Sequence, residues 1–322
     1  MTTEVREGMP LNLPHVCGSA VKGLFKEFKF AVPWGHIAAK SCGPPQGRPV
    51  LCLHGWLDNA NSFDGLIPLL PKDNYYVAID FPGHGLSSHR PNGVAYNFLE
   101  YISDVRRVVE RLEWNKFVIM GHSMGGNVGG LFSCIFPDMV ERLILLDSCG
   151  FVPYRKDKLV LQMQKGIEAL LKWEKQEHPP KVYSPLTALQ RLLKANTSLS
   201  EASAQILLQR GATEVPGGLV FNRDFRINLD TPYRTPLEQC LEYQKKIQAS
   251  VLIILAKNGI LWSKYYADET SPFKAVVEGY KTAKSEFRLE IVEGDHHVHL
   301  NEPEHVAGII TDFLSKDATS KL

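Results

Sequence analysis

The chain has 322 residues, of which 44% are hydrophobic and 22% charged, with a formal net charge of +1. That length holds one substantial core plus an inserted subdomain, and the composition is ordinary for a soluble globular protein. So small a net charge gives no global attraction to nucleic acid, anionic lipid or acidic substrates, and no run approaches the roughly 20 apolar residues that span a bilayer. The opening MTTEVREGMP lacks an apolar signal core, so secretion is not expected. Cys17, Cys42, Cys52, Cys134, Cys149 and Cys240 are scattered, several within apolar runs. They read as free, mostly buried thiols with no zinc or iron–sulfur spacing.

Residues 25–32 and 36–41 read as a hairpin around Pro33-Trp34-Gly35. Short apolar runs at 50–53, 75–79, 117–120 and 143–146 suit strands buried on both faces. Helical patterns lie between them at 62–70, 98–112 and 124–136, and in the second Ile102, Val105, Val108 and Val109 share one face. The alternation predicts an α/β fold, a mostly parallel sheet flanked by helices.

The rhythm breaks after Asp147, and 151–235 carries little strand signal. Residues 158–175 place Val160, Met163, Ile167, Leu170 and Leu171 at helical spacing, a stripe expected to pack largely on the main core. Ser184-Pro185 reads as a cap and first helical position, Ser198 with Glu201 as a capping box before 206–208, and Gly211 as that helix's end. The segment reads as an inserted, mainly helical lid. Thr235-Pro236 with Glu238 then starts a helix, 251–256 and 287–292 read as strands, and 304–314 as a last helix. The expected organisation is a core at 22–150, a lid at 151–234, the rest of the core at 235–315 and a flexible tail at 316–322. At the C-terminus Ser320-Lys321-Leu322 is a receptor-read peroxisomal address, so an import receptor is the expected partner and the peroxisome the expected location.

The chemistry centres on Val118 to Gly126, VIMGHSMGG, where a strand run feeds into Gly121-His122-Ser123-Met124-Gly125. This is G-x-S-x-G at a strand-to-helix turn, which holds a serine exposed on a strained backbone. Side chains at Gly121 or Gly125 would crowd the neighbouring strand or helix. A base for Ser123 is sought in VEGDHHVHLNEPEHV at 292–306, where His296, His297 and His299 share a turn. One neutral imidazole can shuttle the proton, and the others are then surface or supporting residues. Three close histidines also raise a metal site, but no carboxylate or thiolate is arranged with them along the chain, so no metal is expected. The developing oxyanion needs backbone donors, which the loop His54-Gly55-Trp56-Leu57 after 50–53 and Met124 after the serine supply. His54 reads as a brace for that loop. The orienting acid is missing after 251–256, where Lys257-Asn258-Gly259-Ile260 stands instead. One strand earlier, 143–146 ends in Asp147, beside the nucleophile strand and within reach of the histidine. Asp80, at another strand end, reads as a loop brace, and an acid not yet identified remains open.

These residues resemble the α/β-hydrolases over nearly the whole chain. The motifs are His54-Gly55-Trp56, Asp80 to Ser87 (DFPGHGLS), Gly121 to Gly126 (GHSMGG), and GDHHVHL with Pro303 seven residues after His296. Residues 54–63 and 222–226 look closest to peroxisomal serine hydrolase-like proteins. The resemblance implies an eight-stranded sheet, a helical lid and an acyl-enzyme mechanism without cofactor. It puts Ser123 at the elbow and Trp56 and Met124 at the oxyanion hole, and it favours His296 as base. The family's usual acid position is vacant here, while its alternative position matches Asp147. The expected function is cleavage of a small-molecule carboxylic ester or thioester. A serine nucleophile disfavours haloalkane and epoxide chemistry, which use a carboxylate. Tyr154, Met163, Trp173 and Phe225 suggest an apolar acyl side. The alternative is a catalytically dormant scaffold or ligand-binding module, supported only by the missing acid.

Overall fold

In the computed structural model, which describes residues 23–262, 266, 268–282 and 286–315, the apolar runs assemble into one eight-stranded sheet. Strands β1 (Lys26–Val32) and β2 (Gly35–Cys42) form the opening antiparallel hairpin. Strands β3 (Arg48–Leu53), β4 (Asn74–Ile79), β5 (Phe117–His122) and β6 (Val140–Leu146) follow, with helices α1 (Phe98–Arg111) and α2 (Met124–Ile135) on either side of β5 in sequence. The inserted segment contains β7 (Pro153–Tyr154), α3 (Leu159–Glu174), α4 (Pro185–Ala195), α5 (Glu201–Gly211), a hairpin of β8 (Ala212–Val215) and β9 (Gly218–Phe221), and β10 (Thr235–Pro236). The chain returns to the core through α6 (Leu237–Gln244), β11 (Ser250–Asn258), α7 (Pro272–Gly279), β12 (Phe287–Asp295), α8 (Val298–Asn301) and α9 (Glu304–Ser315). The strand order is β1-β2-β4-β3-β5-β6-β11-β12, parallel from β4 onward. Among the described residues no helix is long and apolar enough to cross a membrane.

Alternation along each strand divides the core into two. Leu51, Leu53, Ile119, Leu143, Leu145 and Ile253 join Val105 and Val108 of α1 and Val128 of α2 on one face. Val50, Cys52, Val118, Met120, Ile144 and Ile254 join Val306, Ile310 and Phe313 of α9 on the other. Continuous apolar runs are what a sheet covered on both faces requires. Cys42, Cys52, Cys134, Cys149 and Cys240 are free thiols, and Cys17 lies outside the described residues.

Several expectations are corrected. Residues 62–70 form no α-helix but two 3-10 turns, Ala60–Phe63 and Ile67–Leu69, with Pro68 in the second. The cap of α5 is Ser200, whose side chain accepts from Ser203 N, and Ser198 instead meets His297 Nδ1. Thr235-Pro236 does precede a helix, α6, which has Glu238 in its first turn, but the pair itself is a short strand on β7. The β8–β9 hairpin turns through Gly217 and Gly218, both at positive φ. Helix α7 begins at Ser271-Pro272, a signal like the Ser184-Pro185 start of α4. The stripe of α3 does not pack on the core. Val160 is 81% exposed and Ile167 54%, while the buried positions of that helix are Gln162 and Gly166.

Polar bonds tie the insert to the core. Arg210, buried at the end of α5, reaches Asp80 with Nε and Glu27 with Nη1. Asn59 and Asn61 donate to the carbonyls of Leu207 and Ile206. A small apolar cluster of Leu192, Leu199, Ala204, Leu207 and Leu300 seats α4 and α5 against α8.

Candidate active site

Strand β5 ends at His122, and α2 begins at Met124, so Ser123 carries the whole reversal. Its φ of 49° and ψ of −113° lie where a non-glycine residue is strained. A Cβ on Gly121 would come within 2.6 Å of Gly125 backbone, and one on Gly125 within 2.0 Å of the Leu53 carbonyl. Only glycine at both positions lets β3, β5 and α2 approach this closely. Positive φ recurs at Leu57 in the loop after β3 and at Asp147 after β6, with Glu113 the fourth such non-glycine residue described. Three of those four therefore lie in this site.

His296 follows β12 directly. Its Nε2 lies 2.9 Å from Ser123 Oγ and its Nδ1 2.5 Å from Asp147 Oδ2. The Asp147 side chain is wholly buried and also accepts from Ala256 N and Ile260 N. A Cβ on Gly259 would meet that carboxylate at 2.5 Å. The start of the loop after β11 thus leaves room for the Asp147 carboxylate and donates to it.

Met124 is the first residue of α2, its N–H among the free donors of the helix N-terminus. Trp56 lies in the loop after β3. The residue is 47% exposed, and its indole N–H donates to the Ile227 carbonyl of the inserted segment. His54 is fully buried, makes a 2.7 Å contact with the Gly55 carbonyl through Nδ1, and accepts from Phe81 N through Nε2. Asp80 accepts from Ala60 N, Leu86 N and Arg210, and so ties three loops together. Ser320, Lys321 and Leu322 lie outside the described residues.

His297 and His299 are not surface residues. Both are buried, with His297 Nδ1 on Ser198 Oγ and His299 Nε2 on Ser62 Oγ. Burial holds the His299 imidazole well below its usual pKa and lowers that of His122 to about 4, against the raising effect of Asp58. Burial raises the Asp58 carboxyl, but His297 and His122 more than offset it and leave it well below the usual range. His122 Nε2 meets the His296 carbonyl at 2.9 Å and so braces the backbone of the histidine loop. Asp58, His122 and His297 place their ligand-type atoms within 4.8 Å of one another, so a carboxylate does stand among the histidines. The sequence signal for this cluster was confined to its position in HGWLD and GHSMG, since its members come from distant segments.

An apolar cavity of about 280 Å³ lies among α1, α2, α6 and the start of the insert, lined by Phe98, Leu131, Phe151, Tyr243 and Asn127. Asn127 is one turn along α2 from Ser123, and its N–H meets the Ser123 carbonyl. Tyr154, Met163, Trp173 and Phe225 do not line this cavity. Met163 and Phe225 are more than 40% exposed, and Tyr154 is engaged by Gln162.

Residues 48–303 match the alpha/beta hydrolase fold family. The chain is 47% identical to a "Serine hydrolase-like protein" of Danio rerio, covering 94% of this chain and 93% of the relative. It is 49% identical to "Serine hydrolase-like protein 2" of Homo sapiens, covering 92% and 96%. Among solved structures, a hypothetical protein from Pseudomonas aeruginosa PAO1 superposes with a TM-score of 0.80 at 33% identity, covering 90% of this chain and 99% of that one.

Proposed function

The chain belongs to the alpha/beta hydrolase fold family, and within it we propose that this protein is a serine hydrolase of carboxylic esters or thioesters, working through an acyl-enzyme. The observation that carries the reading is the unbroken chain Ser123 Oγ–His296–Asp147 at a strained elbow. Asp147 accepts the Nδ1 proton of His296, which leaves Nε2 with a lone pair toward Ser123 Oγ. The serine proton moves to Nε2 as Oγ attacks the carbonyl carbon. The oxyanion takes the backbone N–H groups of Trp56 and Met124. The imidazolium then protonates the leaving alkoxide or thiolate, and a water activated by His296 releases the acid. No step calls on a cofactor. Residues 151–234 act as the lid over this site.

The reading is tested with a fluorophosphonate probe and a series of p-nitrophenyl esters of increasing chain length. Wild type should label and turn over, and Ser123→Ala should lose both with an unchanged circular dichroism spectrum. Labelling that persists in Ser123→Ala would remove Ser123 as nucleophile, and an unlabelled wild type would favour a dormant scaffold.

We also propose that Ser320-Lys321-Leu322 is read by the peroxisomal import receptor. Deleting the three residues should move a tagged protein from punctae to the cytosol. Unchanged punctae would place the address elsewhere.

A further inference from the structure

Behind the Ser123–His296–Asp147 chain lies a cluster that the proposed chemistry does not use. Asp58 follows the strained Leu57, His122 ends β5, and His297 follows the catalytic histidine. Asp58 and His297 are 2% exposed and His122 1%. His122 Nδ1 and His297 Nε2 each lie 3.3 Å from Asp58 Oδ2.

Hydrogen bonding leaves this cluster incomplete. The His296 carbonyl can only accept, so the proton of a neutral His122 sits on Nε2. Its Nδ1 then presents a lone pair to an ionised carboxylate oxygen. Asp58 Oδ2 lies 3.3 Å from both ring nitrogens, yet neither it nor His122 Nδ1 makes a well-aligned hydrogen bond among the described residues. The other oxygen, Oδ1, has only a long 3.3 Å contact with His297 Nε2. Among the described residues Asp58 pairs with no lysine or arginine, only with these two imidazoles. A buried carboxylate is normally paired with a cation or coordinates a metal, because leaving it bare costs several kcal/mol or more.

We propose that Asp58 Oδ2, His122 Nδ1 and His297 Nε2 bind one divalent transition-metal ion of the zinc type. Ligand atoms around a tetrahedral ion with bonds near 2.0–2.1 Å stand about 3.3 Å apart. Both edges that meet at Asp58 Oδ2 already have that length, and the third, between His122 Nδ1 and His297 Nε2, is within 4.8 Å. Metal-bound histidines usually give their second ring N–H to a neighbouring acceptor, which fixes ring and tautomer. Here His122 Nε2 faces the His296 carbonyl at 2.9 Å and His297 Nδ1 faces Ser198 Oγ at 2.8 Å. Two imidazoles and one carboxylate suit zinc, copper or nickel better than calcium or magnesium, which prefer oxygen. The fourth position falls to a water. His296 is not a ligand, since Asp147 and Ser123 occupy both its ring nitrogens. The ion would neutralise Asp58 and fasten together the loop after β3, the elbow and the histidine loop.

The test uses the full chain, stripped with a chelator and then given zinc or cobalt(II). Wild type should retain a single zinc per chain through gel filtration. Its cobalt form should show visible d–d bands without the near-ultraviolet charge-transfer band of a thiolate ligand. Zinc should raise the unfolding midpoint, more so at higher free zinc. His122→Gln and His297→Gln should each lose the metal, and two variants guard against one that fails to fold. His296→Ala should keep it. A wild type that retains no zinc and gives no cobalt spectrum would overturn the proposal. Metal lost in His296→Ala but kept in His122→Gln would overturn it too, by moving the ion to the Ser123 site. Neither result bears on ester hydrolysis, which is read separately by the fluorophosphonate.

Discussion

The sheet and the inserted segment use apolar side chains in opposite ways. Val118, Ile119, Met120, Ile144, Ile253 and Leu255 are completely buried between strands and helices, whereas the ridge Val160, Met163, Ile167 and Leu171 of α3 stands in solvent. Besides the small apolar cluster at α8, what holds the insert is directed and polar: Arg210 on Asp80 and Glu27, Asn59 and Asn61 on the carbonyls of α5, Trp56 on Ile227, Ser198 on His297. Every one of these core partners except Glu27 sits in a loop that bears on the candidate site. The sheet therefore fixes where Ser123, His296 and Asp147 stand, and the insert fixes how the loops around them are held. Changes in the first should be read as lost packing or lost chemistry. Changes in the second should matter where a polar bond is cut or where the small apolar cluster under α4 and α5 is opened, and little elsewhere.

The largest expected effect belongs to Asp147, whose strand end serves both roles. Asp147→Asn keeps the shape, but it removes the charge that fixes the His296 tautomer. kcat on an activated ester should fall about 10⁴-fold. The amide oxygen can still accept from only one of Ala256 N and Ile260 N at full strength, so a smaller loss of stability should accompany it. Steady-state kinetics beside Asp80→Asn separates the two strand-end carboxylates. Near-normal turnover in Asp147→Asn would take it out of the catalytic array.

Next in size is the joint itself. Arg210→Met leaves Asp80, a wholly buried carboxylate, with backbone donors but no cation. Breaking a buried pair on one side typically costs about 3–5 kcal/mol. Chemical denaturation should show that loss, and esterase activity should fall with it, because Asp80 also holds Ala60 and the loop leading from Trp56. A stability loss under about 1 kcal/mol would mean that water replaces the guanidinium. Within the sheet, Ile253→Ala should cost about 2–5 kcal/mol, since β11 lies between β6 and β12 with no room to relax. Urea unfolding measures it, and a loss under 1 kcal/mol would contradict the packing described for that face.

Legibility in the sequence followed the same division. Strands covered on both faces must be continuous apolar runs, so β3 to β6 and β11 were plain. The elbow was plain because two glycines are sterically required around Ser123. Asp147 could be reached from its strand end, but Gly259, which makes room for its carboxylate, read only as a missing acid. His296 needed the resemblance, because three histidines share the turn and local spacing does not say which one faces Ser123. The Asp58–His122–His297 cluster was out of reach, since it joins three separate segments, with Asp58 and His297 239 residues apart in the chain. In the insert, spacing gave the helices correctly and their orientation wrongly. A helical repeat tells which residues share a face, and nothing in it tells which way that face turns.

That error supplies the smallest effect and the sharpest check on the comparison. Ile167 has the same side chain as Ile253, and both were expected to pack in the core. In the folded chain Ile167 is 54% exposed and Ile253 0%. Truncation at an exposed helical position removes little buried surface, and alanine gains slightly in helix propensity. Ile167→Ala should therefore change the unfolding free energy by no more than about 0.5 kcal/mol. Activity should stay at the wild-type level, because none of the polar bonds from the insert to the site is touched. The measurement is a pair of urea curves for Ile167→Ala and Ile253→Ala, each taken at two protein concentrations. A loss of about 2 kcal/mol or more at Ile167 would mean that the α3 ridge is covered in solution. If that loss also grew with protein concentration, the cover would be a second copy of this chain.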